Sequence, residues 1–459
     1  MINHERKPGQ HLFRFPVPCS LFPIVLLLAL PLGSADFGAQ ASSSLADLLK
    51  SPNVDTRVRA AHDIGQSGDA SEIPALIATL ADPSARVRKE VVIALARIHA
   101  LPSIDGMIQA TRDPDSDVRV LAVNGLVDYY TGQTLETGVT GLIKKGYHQA
   151  KSHFEIDVTQ VEPGAQVDPK VDTALDAVMN DTRVIEPARA AAHGLGVLLA
   201  RSAVPDLVKA AHSVDEDLAR EALNALSKIK DLSAGPQLID LLDSSSTGIL
   251  EDAAVTVGVL RTEAAALKLQ SIYQNNSGKK VRANALQGLA DLGNPASVPV
   301  FTQSLVSSDK TTRALGAEGL ARAGDPKPVP ELEKAIVAET DVNARLAMDF
   351  ALTALGSNNY LNGLIQGLDS RIHGDIAQTY LIELARSPKI QIRLYPYLTS
   401  GSDTERRKLC DVLMYSGNQS SLTPLERASH DRNDDVATEA LHALRVIRAR
   451  LSAGGNGPQ

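Results

Sequence analysis

Asp82-Pro-Ser-Ala-Arg-Val-Arg88 and Asp113-Pro-Asp-Ser-Asp-Val-Arg119 are the same phrase written twice, 31 residues apart. Upstream, Asp55-Thr-Arg-Val-Arg59 repeats its core; read on its last arginine, the spacing to Arg88 is 29. Downstream the register returns at Arg189, Arg220, Arg282, Arg313, Arg345 and Arg406. Glu251 stands midway between Arg220 and Arg282, Asp375 near the middle of the Arg345–Arg406 interval, and Ala437 closes the series. A fixed period of this length marks stacked supersecondary units and not a set of globular domains, although 459 residues would otherwise suggest two or three.

Each unit reads as a helix pair. Asp or Ser residues supply side-chain acceptors for a helix N-terminus. Val87, Val91, Ala94, Leu95 and Ile98 then recur at helical spacing. Glycine follows in many units, at Gly65, Gly293, Gly324, Gly356 and Gly417, where a helix end can turn left-handed. The second helix opens on an apolar-Pro pair, as in Ile73-Pro74, Val204-Pro205, Val298-Pro299 and Val329-Pro330; proline fits the first turn because its missing N–H would have no partner there. The spacing therefore predicts an all-α solenoid of about twelve units of ~31 residues over 42–451. Ser43–Lys50 reads as a lone capping helix and 452–459 as a disordered tail.

The D-P-x-x-x-V-R segments (Asp82 to Arg88, Asp113 to Arg119) and the A-L-x-x-I/L-G ending (Ala285 to Gly293) resemble the HEAT-repeat family in its short form, the HEAT-like or phycobilisome-lyase-like repeat. The likeness spans roughly 45–451. It implies an α-solenoid in which the recurrent Arg residues bond acids and helix-cap carbonyls of their own or the next unit. Arg59, Arg88, Arg119, Arg189, Arg220, Arg282, Arg313, Arg345 and Arg406 are the candidates for this structural ladder; a basic binding stripe is the competing reading. The resemblance also offers a bilin lyase-like, chromophore-handling alternative. The His-Glu pairs by which the related deoxyhypusine hydroxylases hold di-iron are represented here by His4-Glu5 alone, so that chemistry is not expected.

Composition narrows the function. Net charge is −8, which weighs against nucleic acid. Tryptophan is absent and aromatics are 3 %, as suits thin helical stacks that must approach closely. Residues 1–41 are basic, then apolar from Leu21 to Leu32, then small-x-small at Ala39-Gln40-Ala41: the order of a secretory signal peptide. Export to the periplasm or the medium is expected, with membrane attachment only if that segment is retained as an anchor. Its removal takes Cys19 and leaves Cys410 as the single thiol.

The period breaks once. Between Arg119 and Arg189 lie 70 residues, and the excess falls at about 131–168. Val139, Leu142, Ile143, Tyr147 and Ala150 share a helical face there, and His153–Val158 alternates like a short strand. Tyr129, Tyr130, Tyr147 and Phe154 concentrate the scarce aromatics in this region and are the candidate partner-binding anchors; an arm folded back on its own solenoid is the alternative. His148, His153, Glu155 and Asp157 match no standard metal spacing. No phosphate loop, G-x-S-x-G or H-E-x-x-H occurs in the mature region. The expectation is a scaffold, not an enzyme, with no cofactor, binding a protein or peptide on its concave face, its insertion, or both.

Overall fold

The computed structural model describes residues 44–132, 160–161, 165–357 and 359–452. The proposed signal peptide, the core of the insertion with Tyr147 and Phe154, and the tail lie outside them. Among the described residues the chain is all-α, without strands. Twelve longer helices alternate with shorter partners, one for each sequence register. Val54–Ser67, Ala85–Ile98, Ser116–Thr131 and Ile185–Val197 begin the series of long helices; Asp403–Ser416 and Asp434–Ser452 end it. Leu45–Leu48 is the lone helix at the start, capped by Ser44, whose hydroxyl accepts from the Asp47 N–H.

Local signals act as read. Asn53, Asp115, Asp215, Asp309 and Asp341 accept backbone N–H groups at helix starts. The apolar-Pro pairs open second helices at Ile73, Val204, Val298 and Val329. Gly293, Gly324 and Gly356 take positive φ after long helices. Two of the expected turns differ. Gly417 caps its helix in extended backbone. Gly65 lies inside the helix Val54–Ser67, and Gly68 makes the left-handed turn. Gly65 serves close packing instead: a Cβ there would stand 2.8 Å from the Ala94 Cα of the next long helix.

That contact typifies the stack. Long helices lie along their successors, whereas short helices barely touch theirs, so the long ones form the tightly packed inner layer and the short ones the outer. The inner layer is lined with Ala60, Ala94, Ala122, Ala191, Ala222, Ala254 and their equivalents, all fully buried or nearly so. At Gly258 and Gly288 neighbouring backbones meet: a Cβ on Gly288 would lie 2.1 Å from the Ala254 carbonyl oxygen, and one on Gly258 2.3 Å from that of Gly288. Small residues are what this architecture needs, which explains the alanine-rich, aromatic-poor composition. One second helix departs from the pattern. Leu232–Asp243 is 3-10 throughout, with Pro236 inside it; the missing N–H disfavours a regular α turn at that point.

Candidate functional site

The arginine register builds a ladder along the turns that join one unit to the next. Arg88 shows the design. Its Nη1 donates to the carbonyls of Asp82 and Pro83, closing its own turn, while Nε and Nη2 donate to the Asp113 carboxylate at 2.7 and 2.8 Å, gripping the next unit. Arg57–Asp82, Arg189–Asp215, Arg313–Glu339 and Arg406–Asp431 repeat the two-point carboxylate grip at 2.6–3.0 Å. Such planar, forked pairing is what arginine does and lysine does not. The guanidiniums of Arg189, Arg313 and Arg406 hold Asp215, Glu339 and Asp431 below the usual carboxylate range.

The expected register needs three corrections. Arg57, not Arg59, is the first rung: it is buried and Arg59 is exposed, and 31 residues from Arg57 to Arg88 restore the period. Arg282 is exposed, with no carboxylate partner among the described residues. Arg345 is exposed and donates to the Ile336 carbonyl at 3.3 Å, not to an acid. Two rungs are built differently. Arg220 reaches Asp252 on the following long helix at 2.7 Å, and buried Glu251 takes Lys280 at 2.6 Å, inverting the polarity of that step. Arg88→Ala should lower stability by roughly 1–3 kcal/mol, because Asp113 and two carbonyls lose a donor; Arg59→Ala should leave the urea midpoint unchanged. Paired urea melts followed by circular dichroism check both.

A second network lies on the inner layer. Arg322 donates to Glu318 at 3.0 Å on its own helix and to both oxygens of Glu383 at 3.0 Å, and pairs with Asp291 at 3.2 Å. The Tyr380 hydroxyl donates to Glu318 at 2.8 Å, and its ring stacks on Phe350, 4.7 Å between centroids, with Arg322 over the other ring. Four successive long helices, from Lys279–Leu292 to Gly374–Leu384, therefore meet at one guanidinium. Burial would raise the Glu383 carboxyl, but Arg322, with Arg386 and Arg261, holds it below its ordinary value.

Close by, Asp349 is buried against Gly363 with no donor to its carboxyl among the described residues. Burial raises it to about 7 against the pull of Arg345. The folded chain then binds a proton that the unfolded chain releases near 3.8, so stability falls as pH rises from about 4 to about 7. Asp176, Asp291 and Asp411, each raised to about 6 by burial, add to the same trend. Asp349→Asn should gain roughly 3–4 kcal/mol at pH 8 and nothing at pH 4, as seen in thermal melts at the two values.

At the base of the insertion Tyr129 and Tyr130 are half-buried. Tyr129 stacks on His99 with centroids 4.6 Å apart, and Tyr130 meets it edge-on. The Tyr130 hydroxyl accepts the Asp168 N–H at 3.1 Å, fixing the start of the helix Pro169–Met179. Val161, on the returning strand of chain, is buried, and its N–H donates to the Val197 carbonyl at 3.1 Å. Tyr130 thus ties the two ends of the insertion together, and Tyr129 packs on the preceding unit. One feature escaped the sequence reading: Val214, Val306, Val337 and Ile372, all more than four-fifths exposed, stand at or beside the turns leading into four of the long helices.

The family of HEAT repeats matches residues 42–127 and 266–356. No curated protein matches the chain. Among solved structures, the chain is similar to the complex of CpcE and CpcF of phycocyanin lyase from Nostoc sp., at 19 % identity and TM-score 0.36 over 61 % of this chain and 94 % of that one. Importin beta matches at 14 % identity and TM-score 0.45, over 88 % of this chain and 62 % of its own. An Escherichia coli protein, YibA, matches at 14 % and 0.39, over 64 % and 94 %.

Proposed function

We propose that this chain, a HEAT-repeat protein, is a non-catalytic scaffold that binds a protein or peptide partner outside the cytoplasm, once the segment ending at Ala41 has been removed. The observation that supports it best is the set of exposed aliphatic side chains near the unit junctions. A single exposed valine on a protein surface needs no explanation. Val214, Val306, Val337 and Ile372 each stand shortly before a long helix, Val214 and Val337 beside the ladder acids Asp215 and Glu339, and a partner lying along the stack would take them out of water. The long inner layer is further surface of the kind solenoids use, and the insertion at about 131–168, where the sequence concentrates its aromatics, is a further candidate.

Val306→Asp with Val337→Asp tests the reading. Both positions are exposed, so the melting temperature should hold. Recovery of a cross-linked partner from the native compartment should fall by roughly tenfold or more, the loss expected when central apolar contacts are removed. Undiminished recovery would exclude these side chains as the docking surface, and loss of fold with loss of recovery would show that the valines serve the stack.

A further inference from the structure

Among the described residues, one buried arginine of the ladder lacks an acid. Arg119 makes the first half of the pattern: its Nη1 donates to the Asp113 and Pro114 carbonyls at 2.7 and 3.2 Å, as Arg88 does to Asp82 and Pro83. The second half is missing. Its Nε is buried without a hydrogen-bond partner, and no carboxylate of the described residues lies within ion-pair distance of it. The residue is 8 % exposed, as buried as Arg88. Asp113 is already gripped by Arg88.

The acid that should close the rung is Asp181, which follows the helix Pro169–Met179 as Asp113 follows Ser103–Ala110. Asp181 is diverted. The turn is two residues longer than its equivalents, eight residues from Asp181 to Arg189 against six from Asp113 to Arg119, and the extra length holds Arg183. Arg183 Nε and Nη2 take the two Asp181 oxygens at 2.7 and 2.8 Å. What remains beside Arg119 is a cleft of about 470 Å³ between the two turns, lined by Arg112, Arg119 and Arg183, with Asp113 and Asp181 already paired.

We infer that this cleft is a socket for a carboxylate, held by Arg119 in the two-point grip that five other arginines of the ladder give to Asp or Glu. A guanidinium in this position is preorganised: its stem is packed, its Nη1 is fixed, and it needs one acceptor to complete the pattern. Arg112 and Arg183 add positive charge at the mouth. The Arg183–Asp181 pair is the device that keeps the socket open, because a released Asp181 would fill it from within. The ligand is a carboxylate carried on an acidic side chain or at a chain end. The inference does not depend on the exposed valines or on any partner found through them.

The test uses the full chain, arginine Nε–H resonances and two peptide probes at constant ionic strength. One is a blocked Gly-Glu-Gly peptide with an amidated end; the other is an acetylated Gly-Gln-Gly peptide with a free C-terminus. Binding should move the Arg119 Nε–H resonance, and which probe does so separates side-chain from chain-end recognition. Arg119→Lys, which keeps the charge but loses the fork, should weaken binding by roughly tenfold or more. Arg183→Ala should abolish it while raising the melting temperature, since Asp181 then closes the rung. Equal responses from the parent and both variants would mean nonspecific screening and would overturn the socket. So would silence from both probes, or an Arg183→Ala chain that binds as the parent does. Should Arg119→Lys fail to fold, Arg183→Ala alone decides.

Discussion

Gly288→Val is expected to lower stability by about 3 kcal/mol or more, with the loss read as a shift of the urea midpoint at unchanged helical content in the native baseline. Overpacking costs of this kind usually run ~1–3 kcal/mol, because side chains can rotate away. Here they cannot. The first atom a Cβ meets is the Ala254 carbonyl oxygen at 2.1 Å, and the Ala254 carbonyl carbon lies at 3.0 Å. Two helices must separate, and the fully buried Leu269 and Leu286 lose part of their packing as they do. Gly324→Ala is the control. Nothing lies within 4 Å of its Cβ, so its cost is only the left-handed backbone at φ 70°, about 1–2 kcal/mol.

Arg322→Met should cost about 3–5 kcal/mol, the range for removing one partner of a buried ionic group. Three acids, Asp291, Glu318 and Glu383, lose their shared cation. The sign of the pH response checks the cause. Stranded carboxylates protonate more readily, so the variant should recover part of its deficit as pH falls from 7 to 5. A deficit that does not change with pH would mean that the loss comes from packing over Phe350 and not from charge.

The contrast between the two sites shows what sequence could and could not convey. The twelve long helices were legible because each unit repeats the same acid, arginine and apolar spacing over local distances. Arg57 and Arg59 were harder to separate: they stand two residues apart in Asp55-Thr-Arg-Val-Arg59, and only helical phase decides which one turns to the next unit. The regular interval of 31 was the available signal. Gly65 and Gly68 posed the same problem, since a glycine that permits close packing and one that ends a helix look alike in a string. The Arg322 network was illegible for another reason. Its longest pairs, Arg322–Glu383 and Glu318–Tyr380, are 61 and 62 residues apart, two periods away, and no pattern within one unit records them. The diversion of Asp181 was written in the sequence as a turn two residues too long, but its meaning appears only beside the unpaired Arg119.

Arg322 also sets how the array should behave as a spring. Solenoids ordinarily stretch and unravel unit by unit, since each is held only by its neighbours. The guanidinium ties the helix Lys310–Ala323 to Gly374–Leu384 across the intervening one. Pulled from its ends, the molecule should therefore yield gradually through its amino-terminal units, whereas the segment from Lys279 to Leu384 should resist as one stiff block and release its length in a single larger step.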